Sequence, residues 1–179
     1  MTGQADRRTN RTVREIAARD GEEIAFRADN EDWIVSWHPP PTPPDGTPHG
    51  AAGVCVTSNG EIVLVSQDGE RWDLPAGRPE GNETWEETLR REMREEACAT
   101  IVQAKLLGFS RGSCVAGPQV GRVIVRSLWR ADIELAPWEP QFEMSHRRVV
   151  AAAAVVDQLA IADGLARIIS RALHEAAIM

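Results

Sequence analysis

Short apolar runs separated by turn residues dominate the chain after residue 50. The runs 54–56 and 62–65 flank Asn59-Gly60, a dipeptide that type I′ turns favour because both residues tolerate a positive φ. Asp68-Gly69 is a second turn signal and leads into a possible strand at 71–74. The pattern predicts a β-hairpin over residues 54–65, followed by another turn and strand.

After residue 84 the apolar spacing changes from that of strands to that of a helix. Thr84 and Glu87 have the spacing of a capping box, which marks a helix N-terminus. The pattern therefore predicts a helix that begins at about Trp85. Its apolar stripe consists of Trp85, Leu89, Met93 and Ala97.

Two further strands are predicted at 101–109 and 120–129, and Asp163 is predicted to cap a last helix. Strands on both sides of a central helix, with another helix at the end, indicate an α/β or α+β sandwich. The apolar positions of the last helix are Leu165, Ile168, Ile169 and Leu173.

The N-terminal part of the chain has a different character. Residues 1–31 are polar, and the segment 12–18 fits either a short helix or a strand. A strand is predicted at 34–37, and six of the 11 prolines follow within residues 37–50, which is typical of a stiff connector. We therefore divide the chain into an N-terminal arm and connector, residues 1–48, and a main domain, residues 49–179.

The arm is too short to form a core of its own. Because it contains Trp33 and Trp37, we expect it to contribute to a homodimer. The alternative is that both tryptophans fold back onto their own domain.

Composition excludes several classes of protein. The net charge of −7, from 20 basic and 27 acidic residues, argues against nucleic acid as a partner. No apolar run approaches the roughly 20 residues of a membrane helix. The polar N-terminus and three cysteines without metal-site spacing predict a cytoplasmic protein with reduced thiols and no zinc.

Three glutamates in the central helix form the most informative cluster. Glu92, Glu95 and Glu96 stand at positions i, i+3 and i+4, so their carboxylates share one arc of the helix beside its apolar stripe. Their mutual repulsion is relieved either by protonation or by a divalent cation, for which oxygen ligands favour Mg²⁺ or Mn²⁺. Taken alone, such a cluster is most often a solvated helix face.

The spacing of the residues around these glutamates favours binding of a divalent cation over a solvated helix face. The pattern G-x5-E-x7-R-E-U-x-E-E, where U is an aliphatic residue, resembles the Nudix box, and the resemblance extends from about Ala51 to the C-terminus. The upstream segment 72–77 is also similar to the strand-to-loop entry of that family. The matching positions are Gly77, Glu83, Arg91, Glu92, Glu95 and Glu96.

This resemblance implies a Nudix-type α/β/α sandwich with a mixed sheet and a loop–helix–loop catalytic motif. It also implies Mg²⁺-dependent hydrolysis of a diphosphate linkage in a nucleoside diphosphate joined to another group X, or in a (d)NTP. A backbone carbonyl near Ala76 would assist the metal, Arg91 and Glu83 would form an orienting ion pair, and Gly77 would permit close approach of the loop. The implied metal ligands are Glu92, Glu95 and Glu96.

The sequence departs from the family pattern directly after the box. Cys98 replaces a glycine that would end the helix in a left-handed cap, so we expect the helix to end differently or to continue. Ala99 stands at an aliphatic position, and Ala76 replaces a second glycine common in the family.

Weaker signals suggest further site residues. Glu143 is similar in position to an additional acid of many Nudix proteins and is a candidate general base, with Glu92 as the alternative. Glu139 and Glu134 are rivals to Glu143. Trp138 would either stack on a base or pack against the core.

Basic residues are candidates for binding the small nucleotide-like substrate. Arg78 follows the box glycine directly, while Arg122, Arg126 and Arg130 alternate along one strand. The three strand arginines line either a phosphate groove or, as we expect, a solvated strand edge.

The substrate group X is not specified by the sequence. Pro118 and an N-terminal arm give a weak resemblance to ADP-ribose pyrophosphatases. One alternative is a non-catalytic Nudix-fold module that binds a nucleotide or a partner protein. Another is an acidic structural protein that binds no metal.

Overall fold

A single mixed sheet organises the protein. The computed structural model describes residues 14–178. The strands are β1 (Ile24–Ala28), β2 (Glu31–His38), β3 (Thr47–Val56), β4 (Ile62–Ser66), β5 (Ala76–Gly77), β6 (Ala99–Ala116), β7 (Val123–Leu135) and β8 (His146–Val150). The helices are α1 (Trp85–Ala97), a 3-10 turn (Ala152–Ala154), α2 (Val155–Gln158) and α3 (Asp163–Glu175).

The strand order is β1-β2-β6-β7-β3-β4-β8, and β5 pairs with β3 at one point of the sheet. Neighbouring strands are antiparallel except β3 and β7, which run parallel. None of the helices within residues 14–178 combines the length and apolar character needed to cross a bilayer.

Alternating residues of the strands supply a core on each face of the sheet. Cys55 of β3 packs with Leu89 and Met93 of α1 on one face. Its neighbour Val54 belongs to the core on the other face, together with Leu173 of α3. The two faces separate because successive side chains of a strand point to opposite sides. This layering confirms the predicted α/β/α sandwich with a mixed sheet.

The strand predicted at 101–109 extends over 99–116, and the one predicted at 120–129 lies at 123–135. Two further predictions are wrong. Residues 71–74 form only isolated bridges, Val65 with Asp73 and Trp72 with Leu159, instead of a strand. At the last helix, Ala162 is the N-cap and makes no side-chain capping bond, so Asp163 is the first helical residue and not the cap.

The N-terminal segment does not form a separate arm over residues 24–38, contrary to our expectation. Strand β2 pairs with β6 from Asp32↔Ala116 to His38↔Phe109. Trp37 is 0% exposed and Trp33 is 7% exposed, so both fold back onto their own domain. The boundary at residue 48 and the homodimer stay predictions, but these tryptophans offer no surface for dimerisation. Of the segment 12–18, residues 14 and 15 are helical and residues 16–18 belong to neither a helix nor a strand, while residues 12 and 13 lie outside the described part of the chain.

Helix α1 begins as predicted and ends in an unexpected way. Thr84 Oγ1 accepts a hydrogen bond from the Glu87 N–H, and the Glu87 carboxylate accepts one from the Thr84 N–H. At the other end Cys98 is left-handed, with φ 48° and ψ 49°, and its N–H donates to the Met93 carbonyl. The helix therefore has the left-handed cap typical of glycine, although the residue there is cysteine.

A glycine at position 98 is expected to stabilise the protein. A side chain in the left-handed region costs about 1 kcal/mol, so Cys98→Gly should unfold with a free energy about 1 kcal/mol above that of Cys98→Ala. Urea denaturation measures this difference. Both variants lose the weak Cys98 Sγ–Glu139 carbonyl bond of 3.6 Å, so the comparison isolates the backbone effect. A glycine variant no more stable than the alanine variant would contradict this explanation.

Candidate functional site

Helix α1 carries two buried carboxylates on the side that packs against the sheet. Glu92 is 7% exposed and Glu96 is 4% exposed, whereas Glu95 is only partly buried. Glu92 and Glu96 are four residues apart and therefore lie on one face of the helix. The burial of Leu89 and Met93 fixes the rotation of the helix that brings this face against the loop after β5.

The backbone of β5 contacts both buried carboxylates. The Ala76 N–H donates to Glu96 Oε2 at 2.8 Å. The Glu92 carboxylate packs directly on Gly77, at a position where any side chain on residue 77 would overlap it. A side chain at residue 77 would therefore have to displace the Glu92 carboxylate. The close approach that we expected at Gly77 involves Glu92 itself.

Arg91 joins the loop before α1 to the acidic cluster. Its guanidinium donates two hydrogen bonds to Glu83, at 2.8 and 3.0 Å, and one to the Arg78 carbonyl at 2.8 Å. Arg91 Nη1 also donates to Glu92 Oε1 at 2.8 Å and to Glu95 Oε2 at 3.2 Å. Hydrogen bonds from Arg91 lower the pKa of Glu83 to about 2.

Burial makes the charged forms of Glu92 and Glu96 energetically unfavourable. Desolvation raises the pKa of Glu96 to about 8, and the negative charges of Glu92, Glu143 and Asp73 act in the same direction. Desolvation also raises the pKa of Glu92, although Arg91 opposes the shift. Protonation removes the unfavourable negative charges, and a bound cation would stabilise them instead.

The donor set suits a hard divalent cation, but its atoms are not arranged around one. Within residues 14–178, no three His, Cys, Asp or Glu side chains form a ready metal cluster. The reason is visible in the contacts: Arg91 engages Glu92 and Glu95, while the Ala76 N–H engages Glu96. Coordination of a metal would require these carboxylates to turn from their present partners.

Among the weaker candidates, Glu143 lies close enough to influence the cluster. It is exposed, and its charge raises the pKa of both Glu92 and Glu96. Glu134 and Glu139 are also exposed. Trp138 is half-buried and lies beneath the Arg147 guanidinium, with 5.2 Å between the carbon of that group and the ring centroid.

A cationic cavity adjoins β5. It has a volume of about 180 Å³ and is lined by His49, Arg78, Arg126 and the backbone of β3 and β5, including Gly77. Burial lowers the pKa of His49 to about 4, and the charges of Arg126, Arg78 and Arg122 add to the shift. Three arginines therefore concentrate positive charge beside the acidic cluster.

The expectation of an edge strand is wrong, because β7 lies between β6 and β3. Arg122, which precedes β7, and Arg126 are nevertheless exposed as expected, whereas Arg130 is partly buried.

His49 and Asp73 were not predicted as site residues. His49 belongs to no recognisable spacing, and Asp73 lies in the family-like segment 72–77 at a position to which no role was assigned. Their positions follow from strand pairing, which brings β3 and the segment after β4 to the box.

Comparison with known families matches the NUDIX domain to residues 47–168, about two thirds of the chain. An 8-oxo-dGTP diphosphatase from Proteus vulgaris is 36% identical over 64 residues, covering 33% of this chain and 57% of that protein. The chain thus aligns with little more than half of that relative.

Solved structures share the fold at low sequence identity. A variant of the Bacillus subtilis pyrophosphohydrolase BsRppH has a TM-score of 0.57 and 22% identity, covering 70% of this chain and 75% of its own. The MutT protein from Methanosarcina mazei Go1 has a TM-score of 0.56 and 16% identity, covering 74% and 97%. The family match over residues 47–168, which includes the whole motif from Gly77 to Glu96, establishes that this chain belongs to the NUDIX family.

Proposed function

We propose that this protein is a pyrophosphohydrolase that cleaves a diphosphate linkage in a nucleoside diphosphate joined to another group, or in a (d)NTP. The observation that carries the proposal is that buried glutamates and a cavity lined by arginines both lie next to β5. Two buried glutamates lie on one side of its backbone, and a cavity with Arg78 and Arg126 lies beside it. A diphosphate and a divalent cation together complement this arrangement.

Nudix hydrolases generally use a divalent metal ion, and we assign it here to Mg²⁺, with Mn²⁺ as a substitute. Glu92, Glu95, Glu96 and the Ala76 carbonyl would hold it. When bound, Mg²⁺ would supply positive charge that stabilises the charge developing on the diphosphate.

The protein's own residues perform the remaining tasks. Arg91 and Glu83 hold the loop against α1 and fix the position of Glu92. Arg78 and Arg126 anchor phosphate oxygens in the cavity, a task suited to guanidinium groups. Gly77 keeps the backbone close to the carboxylates.

Glu143 is our candidate to accept the proton of the attacking water, because it is exposed and lies near the cluster. Glu92 is the alternative base. Desolvation raises the pKa of Glu92 and outweighs the opposing effect of Arg91, which strengthens that alternative.

A non-catalytic nucleotide-binding module is the second candidate. The complete set of box carboxylates argues against it. The identity of the substrate group is a matter for experiment, and the name of the Proteus vulgaris relative adds 8-oxo-dGTP to the compounds to be tested.

Hydrolysis should depend on Glu96. Wild-type protein with Mg²⁺ is incubated with ADP-ribose, nucleotide sugars, dinucleotides, (d)NTPs and 8-oxo-dGTP, and product release is measured. Glu96→Gln should reduce the rate by ~10²-fold or more, because it removes a charged metal ligand. Glu86→Gln is the matched control, since Glu86 lies on the same helix and pairs only with Arg90 among the contacts seen. Equal release from wild type and Glu96→Gln would refute the enzymatic proposal.

Substitution of Glu143 and substitution of the proposed metal ligands should affect kcat and Mg²⁺ affinity differently. Glu143→Gln should lower kcat by ~10²–10⁴, the typical cost of losing a general base, while Mg²⁺ affinity in calorimetry stays near that of wild type. Glu139→Gln, in the same segment, should change neither quantity. If Glu143→Gln retains its kcat while Glu92→Gln loses it, Glu92 is the base.

In the metal-free protein, the contribution of Glu96 to stability should fall as the pH rises. The folded-state pKa of Glu96 is raised to about 8, so the folded state retains a proton that the unfolded state releases near pH 4.5, and the stability contribution is lost between these values. At pH 9 without metal, Glu96→Gln should exceed wild type by on the order of 2 kcal/mol in urea denaturation. The more exposed Glu95→Gln is the control. A Glu96→Gln variant less stable than wild type at pH 9 would contradict this account.

A further inference from the structure

Arg147 of β8 lies at the C-terminal end of the helix that carries the acidic cluster. Its Nη1 donates to the Ala97 carbonyl at 2.7 Å and, with a longer contact, to the Cys98 carbonyl at 3.4 Å. The last carbonyls of a helix lack partners within the helix, and a cation beside them is favourable because the helix dipole is negative at that end. Arg147 therefore stabilises the last turn of α1, which also carries Glu95 and Glu96.

The same guanidinium holds the loop between β7 and β8, residues 136–145. Both Nη1 and Nη2 of Arg147 donate to the Ala136 carbonyl at 3.1 Å. The Ala136 N–H donates to the Cys98 carbonyl at 2.9 Å, so the loop begins directly against the end of α1. A cation–π contact between Arg147 and Trp138 adds an attachment at the third residue of the loop. One side chain thus joins the helix to the loop.

The position of Glu143 depends on how this loop is attached. The loop contains neither helix nor strand, and eight of its ten residues are exposed. At its far end the Ser145 N–H donates to the Ser66 carbonyl at 3.1 Å. Glu143 is itself exposed, so the loop backbone and not side-chain packing sets its place. From there its charge raises the pKa of both Glu92 and Glu96.

We infer that Arg147 is a positioning residue, which holds the loop that carries Glu143 in a fixed place relative to Glu95 and Glu96 at the end of α1. The inference rests on the proposed function for the role of Glu143 as proton acceptor. A general base acts only within hydrogen-bond reach of the attacking water, and a displacement of about 1 Å can lower a rate by ~10²-fold. Because Arg147 acts through the loop, its loss should change kcat more than KM.

Arg148 offers a matched control because it is the next residue of β8 and points to the opposite face of the sheet. Arg147 lies opposite Val65, which belongs to the core beside α1, whereas Arg148 lies opposite Leu64 of the other core. The Arg148 guanidinium stacks on Trp72, 3.8 Å from the ring centroid. Arg148→Ala therefore removes an arginine and a cation–π contact from the same strand while the contacts of Arg147 stay in place.

Amide hydrogen exchange followed by NMR, without substrate, measures the attachment itself. The informative amides are those of Cys98, which donates to the Met93 carbonyl, and of Ala136, which donates to the Cys98 carbonyl. Arg147→Ala should speed their exchange by ~10-fold or more, as expected for the loss of hydrogen bonds from a charged donor. Arg148→Ala should leave both amides as in wild type.

Arg147→Gln is the second variant in case Arg147→Ala unfolds. It keeps part of the aliphatic stem but lacks the charge and the planar group that reaches Ala97 and Ala136 together, so both amides should again exchange faster. Unchanged exchange of both amides in the folded variants would overturn the inference.

Steady-state kinetics with Mg²⁺ tests the link to Glu143. Arg147→Ala should lower kcat by ~10-fold or more and leave KM near that of wild type, whereas Arg148→Ala should change neither. If Arg147 acts through Glu143, the double variant Arg147→Ala/Glu143→Gln should have the kcat of Glu143→Gln alone. Multiplicative losses in the double variant would overturn the inference, as would an unchanged kcat in Arg147→Ala.

The two measurements separate failure of this inference from failure of the proposed function. Faster amide exchange in Arg147→Ala, combined with no hydrolysis of any compound by wild type, would refute the enzymatic activity while confirming the attachment of the loop. Hydrolysis by wild type, combined with unchanged amide exchange and kcat in Arg147→Ala, would refute the role of Arg147 alone.

Discussion

The contacts of Arg91 are the interaction on which the site depends. One largely buried guanidinium joins Glu83 and the Arg78 carbonyl, both in the loop, to Glu92 and Glu95 on the helix. Without this charge, the crowded carboxylates would repel one another and the loop would lose its fixed position. The same contacts hold Glu92 and Glu95 against Arg91, so a cation bound by these carboxylates would have to displace the guanidinium.

The separation of charge across β5 is the second constraint. The acidic cluster and the cationic cavity are kept apart by a strand of only two residues, Ala76 and Gly77. The Ala76 N–H faces Glu96, and Gly77 leaves room for Glu92. A side chain at Gly77 would displace the carboxylate, so the glycine allows Glu92 to lie directly against the short strand.

The N-terminal hairpin supplies one wall of a cavity of about 310 Å³ whose lining also includes Arg122 and Arg126. Strand β2 extends the sheet through its pairing with β6, and this pairing buries Trp33 and Trp37. The hairpin turn then reaches the β6–β7 loop through Glu31 and Gln119. One segment therefore contributes both to the core and to the wall of this cavity.

The sequence by itself determined the local features: the hairpin at Asn59-Gly60, the capped helix α1 and the spacing of its glutamates. These depend on interactions within a few residues, so periodicity and capping residues reveal them. Tertiary structure decided the rest. The burial of Trp37 and the positions of His49 and Arg126 in one cavity depend on strand pairing and packing between distant segments. Such contacts leave no regular spacing in the chain, because the residues that meet are brought together only by the folded sheet.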